Sequence, residues 1–416
     1  MFSNSTLAVF LVIGAVYAAG QYVILAFVKN KSNEIRTKRK LRLNTIHKIV
    51  TIVQSVSTVV FVSLIFEMIL TSQYNISILA VITSTSYILA IIMMGLLAQW
   101  FFSWYKSNRN YVVLFYGLSS VVLAVNAAFT VALVDVILSD SPEYIYQNTS
   151  AGQVPFIVPG SAAYLLNYPF VISSILSLMF WWVGSVLLLG GYSKKLGRPK
   201  YWIIVSIPLV YFLSQFLPLF PILSAVVPIS QSTSFFIYNM IFAFSKSAGG
   251  ILFGVAFWTI ARSLDDSTIV RQYMIISAYG LVLLFVSNQA IVLVDHAYPP
   301  FGLVTASLMG LSSYLVLVGI YSSAISVSED SKLRQSIRKL ALKETKLLDS
   351  IGTAQMQGEI ESMVLQVAKE REETLKEQTG VQPSLSEEDM KNYLAEVLQE
   401  VRRIKRDRSD DNVVPS

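Results

Sequence analysis

LAVFLVIGAVYAAGQYVILAFV (residues 7–28), KNKSNEIRTKRKLRLNTIHK (29–48) and IVTIVQSVSTVVFVSLIFEMIL (49–70) follow one another near the start of the chain. The first and third are long enough to cross a bilayer as helices, which takes about 20 consecutive apolar residues. The stretch between them holds Lys29, Lys31, Arg36, Lys38, Arg39, Lys40, Arg42 and Lys48. Lys and Arg gather on the cytoplasmic side of membrane helices. The three segments therefore predict a first helix with its N-terminus outside, an inner connection and a second helix running back out. No charge precedes the first stretch and its basic cluster follows it, so it reads as a retained helix and not a cleaved leader.

The same alternation continues. Further spans are expected at 78–103, 111–138, 165–192, 201–219, 234–260, 273–294 and 301–325. The connection after the third span carries Lys106 and Arg109; after the fifth come Lys194, Lys195, Arg198 and Lys200; after the seventh, Arg262 and Arg271. Connections 71–77, 139–164, 220–233 and 295–300 carry no Lys or Arg. The sequence thus predicts an all-α, polytopic transmembrane bundle of nine spans in the cell membrane, with a cytoplasmic helical, coiled-coil-like tail. The domains are expected at 1–325 (membrane), 326–408 (helical stalk and hairpin) and 409–416 (disordered). The longest outer segment, 139–164, is expected to cap the bundle.

Composition narrows the function. The chain of 416 residues is 54% hydrophobic and 14% charged, against about 25% charged in a soluble domain. From Ser326 onward there are 15 basic and 18 acidic residues, a net of −3; the whole chain is +6, so the apolar part is +9. That excess fits orientation on an anionic bilayer, which is the expected partner, and not nucleic-acid binding. With no Cys and only His47 and His296, disulfides, thiolate chemistry and His-rich metal centres are excluded. No metal or cofactor is expected. No phosphate-binding glycine loop, HExxH or GxSxG occurs, so the chain reads as a non-enzyme.

Polar residues inside the spans are the candidate site. Lys246 lies about 12 residues into the seventh span, roughly 18 Å deep at ~1.5 Å per residue. A cation there needs a partner or water. The acids available are Glu67 and Asp135, with Asp295 and His296 at the outer end of the eighth span and Asn239 two turns from Lys246. Together these predict an outward-facing polar pocket for a ligand or ion. Gly250 and Gly254 in the same span have the small-residue spacing that lets membrane helices approach closely.

From Ile320 to Ile351 there is no Gly or Pro, which predicts that the ninth span runs unbroken into the tail. Leu333, Ile337, Leu340, Leu347, Ile351 and Ala354 then recur at steps near four and three, a seam for pairing with another helix. A second row, Met356, Ile360, Met363 and Val367, is offset from it. Gly380 and Pro383 end the helix, and 387–406 is expected to fold back. The Leu333–Ala354 seam is expected to stay available for a homodimer or a cytoplasmic signalling protein.

Nine spans followed by Ser328-Glu-Asp-Ser-Lys-Leu-Arg-Gln-Ser-Ile-Arg-Lys339 resemble the multi-pass sensory modules of archaeal histidine-kinase-type receptors. The resemblance implies a membrane domain that passes its state to a cytoplasmic coiled coil. The tail contains no His to accept a phosphoryl group, so it further implies a member that hands its signal to a separate protein. The function expected is a membrane sensor or signal relay. The alternatives are a secondary transporter or channel using Lys246 with Glu67 or Asp135, and an assembly scaffold.

Overall fold

The computed structural model describes residues 4–32, 40–139, 144–146, 160–217, 241, 244–265, 268–288, 298–339 and 346–379. The helices are α1 (Asn4–Ser32), α2 (Lys40–Thr71), α3 (Ile76–Asn108), α4 (Tyr111–Ser139), α5 (Ala162–Leu189), α6 (Tyr192–Leu196), α7 (Arg198–Ser214), α8 (Ser245–Arg262), α9 (Ile269–Ser287), α10 (Phe301–Ser307), α11 (Met309–Glu329), α12 (Ser331–Lys339) and α13 (Lys346–Thr379). Two short strands, β1 (Gln73–Asn75) and β2 (Tyr144–Tyr146), pair antiparallel with Tyr74 opposite Ile145. The chain divides into two compact units, Met1–Gly352 and Thr353–Ser416. The first unit therefore runs past the expected boundary at 325.

The first unit is an all-α polytopic bundle. Helices suit hydrocarbon because each satisfies its own backbone polar groups. Among the described residues seven stretches are long and apolar enough to cross a membrane: Thr6–Asn30, Asn44–Thr71, Ile76–Asn108, Tyr111–Ser139, Ala162–Leu189, Ile269–Ser287 and Phe301–Glu329. The expected sixth span corresponds to α7, 17 residues long with Pro208 inside it. The described part of the seventh is α8, whose 18 residues include both Lys246 and Arg262.

Six helices close a ring in the order α3, α4, α5, α8, α9, α11 and back to α3. Tyr116, Trp181, Phe253 and Phe285 fill it, with Tyr116 and Trp181 ring centroids 5.0 Å apart and Phe253 and Phe285 4.9 Å apart. Small residues set the closest crossings, as the Gly250–Gly254 spacing predicts. A Cβ on Gly250 would stand 2.7 Å from Phe285 Cβ, and one on Gly254 2.9 Å from the Ala278 carbonyl. On α11, a Cβ on Gly319 would collide with Ser277 Oγ and stand 2.6 Å from the Tyr273 carbonyl.

Helix α11 is almost wholly buried. Between α10 and α11 the backbone turns at Leu308, and the polar groups released there find partners on other helices. Ser86 of α3 donates to the Ser307 carbonyl at 3.1 Å and accepts from the Gly310 N–H at 3.0 Å. Gln54 of α2 donates to the same carbonyl at 3.3 Å. Side chains inserted into the backbone ladder in this way are a recognised cause of helix bends.

Between α2 and α3, β1 joins β2 in a small two-stranded element. Tyr74 stacks on Tyr298 at 6.2 Å, and Tyr298 donates to the Met68 carbonyl at 3.0 Å. Burial pushes both phenols above their ordinary pKa. Of the segment expected to cap the bundle, only 139, 144–146 and 160–164 lie among the described residues.

The ninth span does not run unbroken into the tail. Asp330 leaves the helix with extended backbone (φ −97°, ψ 105°). Its carboxylate accepts from the Lys332 and Leu333 N–H groups at 2.8 and 3.0 Å and so starts α12. An Asp placed as an N-cap breaks a helix and opens the next one without Gly or Pro.

Candidate functional site

Lys246 is in the first turn of α8, and its surroundings come from three other helices. The ammonium donates to the Asn288 carbonyl at 3.0 Å and lies 5.4 Å from the Phe170 ring centroid. Asn288 is where α9 leaves helical geometry. Its amide donates to Asn126 Oδ1 on α4 at 3.3 Å. Asn126 donates in turn to the Phe170 carbonyl and to Ser173 Oγ of α5, both at 3.0 Å. The cation thus rests against the carbonyl end of a helix, where the backbone dipoles present partial negative charge, and against an aromatic face.

Neither expected carboxylate joins it among the described residues. Asp135 lies nine residues beyond Asn126 on α4, about half a revolution away at ~3.6 residues per turn. With Asn126 turned into the ring, Asp135 is exposed outside it. Glu67 lies on α2, which is not one of the ring helices. Its Oε2 accepts from the Asn75 N–H at 3.2 Å, fixing the turn into β1. Asn75 then caps α3 by accepting from the Ser77 N–H at 2.7 Å. Asn239, Asp295 and His296 lie outside the described residues.

What the sequence reading missed is the pair Asn288 and Ser173, together with the backbone carbonyl that serves Lys246. In and beside this network several buried polar atoms have no hydrogen-bond partner among the described residues. They are Asn288 Oδ1, Ser287 Oγ, Ser177 Oγ and Trp181 Nε1. Ser173, Ser177 and Trp181 succeed one another at four-residue steps, so a polar line descends one face of α5 from the Lys246 cluster. Unsatisfied buried groups at this density mark a place where a polar ligand, ion or water would be stabilised.

The second cluster is the root of the tail, and it changes the expected interaction seam. Within the first unit Asn108, at the end of α3, donates to the Ser350 carbonyl at 2.5 Å, and Asn110 donates to Ser350 Oγ at 2.7 Å. A Cβ on Gly352 would collide with Val327 Cγ1 at the end of α11. Ile337, Leu347, Leu348 and Ile351 are buried and Leu333 is half-buried. The seam expected to remain available is therefore largely closed within one chain; Leu340 lies outside the described residues and Ala354 belongs to the second unit. In that unit Ile360, Met363 and Val367 of the offset row are exposed. The helix expected at 387–406 is outside the described residues. The chain matches no protein-family model, no curated protein and no solved structure.

Proposed function

We propose that this protein is a signal relay of the cell membrane, with nine crossings, an outer N-terminus and a cytoplasmic tail. Seven of the crossings are the long apolar helices, and α7 and the α8 region supply the other two. The orientation rests on the alternation of Lys- and Arg-bearing connections with connections that have none. The observation that carries the relay is the attachment of the tail root to Asn108 and Asn110 and to Val327. These residues end α3 and α11 and begin α4, so a shift of the ring's core helix or of the α3–α4 turn acts directly on the first turns of α13. The exposed row Ile360, Met363 and Val367 then offers the output surface for a second copy or a cytoplasmic signalling protein.

The test is amide exchange. Gly319→Ala, which forces α11 away from α9, is expected to change exchange across 346–352 in the full chain. In the Asn108→Ala, Asn110→Ala background that response disappears. If Gly319→Ala alters exchange within 309–329 and leaves 346–352 unmoved, the relay is wrong.

A second reading has its own observation. Lys246 meets the carbonyl end of α9 within the bundle, and helix ends that meet inside a bundle are how transporters hold coupling ions. In proteoliposomes that reading requires solute or cation flux that Lys246→Met abolishes; absence of flux across a broad ion and solute panel removes it.

A further inference from the structure

Helices α1 and α2 leave a groove of about 710 Å³ between them. Along α2 it runs from His47 to Phe66, which at ~1.5 Å per residue is roughly 28 Å, close to the thickness of the hydrocarbon layer. Its far half is walled mainly by Val59, Val62 and Phe66, with the Ser63 hydroxyl turned to the Val59 carbonyl at 3.0 Å. The half nearer the basic connection is polar, and among the described residues Lys29 is the one charged residue in the lining, with no carboxylate.

Midway along the groove lies a buried acceptor with no donor among the described residues. Thr58 donates its hydroxyl to the Gln54 carbonyl at 2.8 Å. It can therefore only accept from Gln21, and it takes the Gln21 Nε2–H. That fixes the amide and leaves Gln21 Oε1 unpartnered, although the side chain is only 4% exposed. Ser55 likewise donates to its own helix at 2.7 Å, so its remaining capacity is to accept; Thr51 donates to the His47 carbonyl at 2.7 Å and lies 3.4 Å from His47 Nε2. A hydrocarbon chain alone would leave these acceptors unpaired in an apolar layer, which is costly.

The groove is also wired to the core helix. His47 Nδ1 lies 2.8 Å from the Tyr314 hydroxyl of α11. Gln54 donates both to Tyr17 at 2.9 Å and to the Ser307 carbonyl at the bend before α11 at 3.3 Å. Two lining residues therefore hold the helix that leads to the tail.

We propose that this groove binds a single-chain anionic amphiphile from the bilayer. Its chain lies along Val59, Val62 and Phe66, a hydroxyl or N–H beside the chain donates to Gln21 Oε1, and its phosphate or carboxylate meets Lys29. The occupant's effect on the tail rests on the relay reading; its binding does not.

The test uses purified full-length protein in phosphatidylcholine nanodiscs doped with one probe at a time, with retention read by native mass spectrometry. Lysophosphatidic acid has the anion and the free hydroxyl, phosphatidic acid lacks the hydroxyl, and lysophosphatidylcholine lacks the net charge. Wild type is expected to prefer lysophosphatidic acid over each of the others by about tenfold, the scale of one charge-assisted hydrogen bond. Gln21→Leu loses the preference over phosphatidic acid only, and Lys29→Met the preference over lysophosphatidylcholine only. Equal retention of the three probes by wild type overturns the site, as does a preference that both variants keep. Amide exchange at 346–352 is read on the same samples. Selective retention without a change there keeps the site and refutes the relay.

Discussion

Replacing Lys246 by Met deletes the ammonium and keeps an unbranched side chain. A cation at the centre of a membrane helix costs at least about 2.5–3.5 kcal/mol, and the substitution removes that cost. Against this, the Asn288 carbonyl loses its donor, and a buried acceptor left unpaired costs about 1–3 kcal/mol. The two terms nearly cancel, so Lys246→Met is expected to change the unfolding free energy by less than about 2 kcal/mol. A lysine paired with a buried carboxylate behaves differently, because removing one partner strands the other and costs about 3–5 kcal/mol. Reversible unfolding in mixed micelles, applied to Lys246→Met, Asp135→Asn, Glu67→Gln and the two double variants, separates the cases. Coupling between Lys246 and either carboxylate is expected to stay within about 0.5 kcal/mol, as for independent sites. A loss of about 3 kcal/mol or more that Asp135→Asn or Glu67→Gln rescues would refute the carbonyl-bound arrangement.

Other outcomes follow from the packing. Gly319→Ala should destabilise by up to about 2 kcal/mol, since overpacking costs about 1–3 and helix propensity returns about 1; Gly20→Ala, with open space around it, should be neutral or stabilising in the same thermal assay. Ile351→Asp and Ile337→Asp each place a carboxylate at a buried position and should cost about 3 kcal/mol or more, read as raised protease sensitivity of 331–352 in the monomer; unchanged sensitivity would mean the root is not packed. Because the chain has no Cys, single Cys residues at Ser72 and Ser193 report topology directly: an impermeant thiol reagent on intact cells should label Ser72→Cys and spare Ser193→Cys, and the reverse would invert the orientation.

The membrane elements were legible because their signal is local: a run of apolar residues and the sign of the next connection. Seven of the nine expected spans reappear among the described residues as long apolar helices. The order in which they meet was not legible, since lipid-facing and ring-facing residues are equally apolar here and helical periodicity is weak. Lys246 shows the limit. Its main partner is a backbone carbonyl at Asn288, and carbonyls carry no letter in a sequence. The exclusion of Asp135 was readable, because its half-turn offset from Asn126 is a matter of counting. The tail failed for a related reason. The absence of Gly and Pro between Ile320 and Ile351 predicts continuity, but Ser328-Glu-Asp330-Ser contains a capping aspartate followed by a helix-starting serine. The apolar seam after it was correctly seen as needing cover, but Ser350 and Gly352 fit against Asn108, Asn110 and Val327, and that fit depends on side chains far apart in sequence.

Helix α11 has a consequence for how the molecule is built. Among the described residues it is the last long apolar helix in chain order, yet it closes the ring between α9 and α3. Until the ribosome delivers it, the other five ring helices form an open trough whose walls carry Ser86, Ser277 and the close-packing Gly280. Helices α1 and α2, made first, join through Gln54 and Tyr17, but His47 and Gln54 gain Tyr314 and the Ser307 carbonyl only when α10 and α11 arrive. In a chain cut before residue 301, Ser86, Ser277 and Gly280 would lack the segment that covers them, so insertion of α10 and α11 is the step that turns five separate staves into a closed ring.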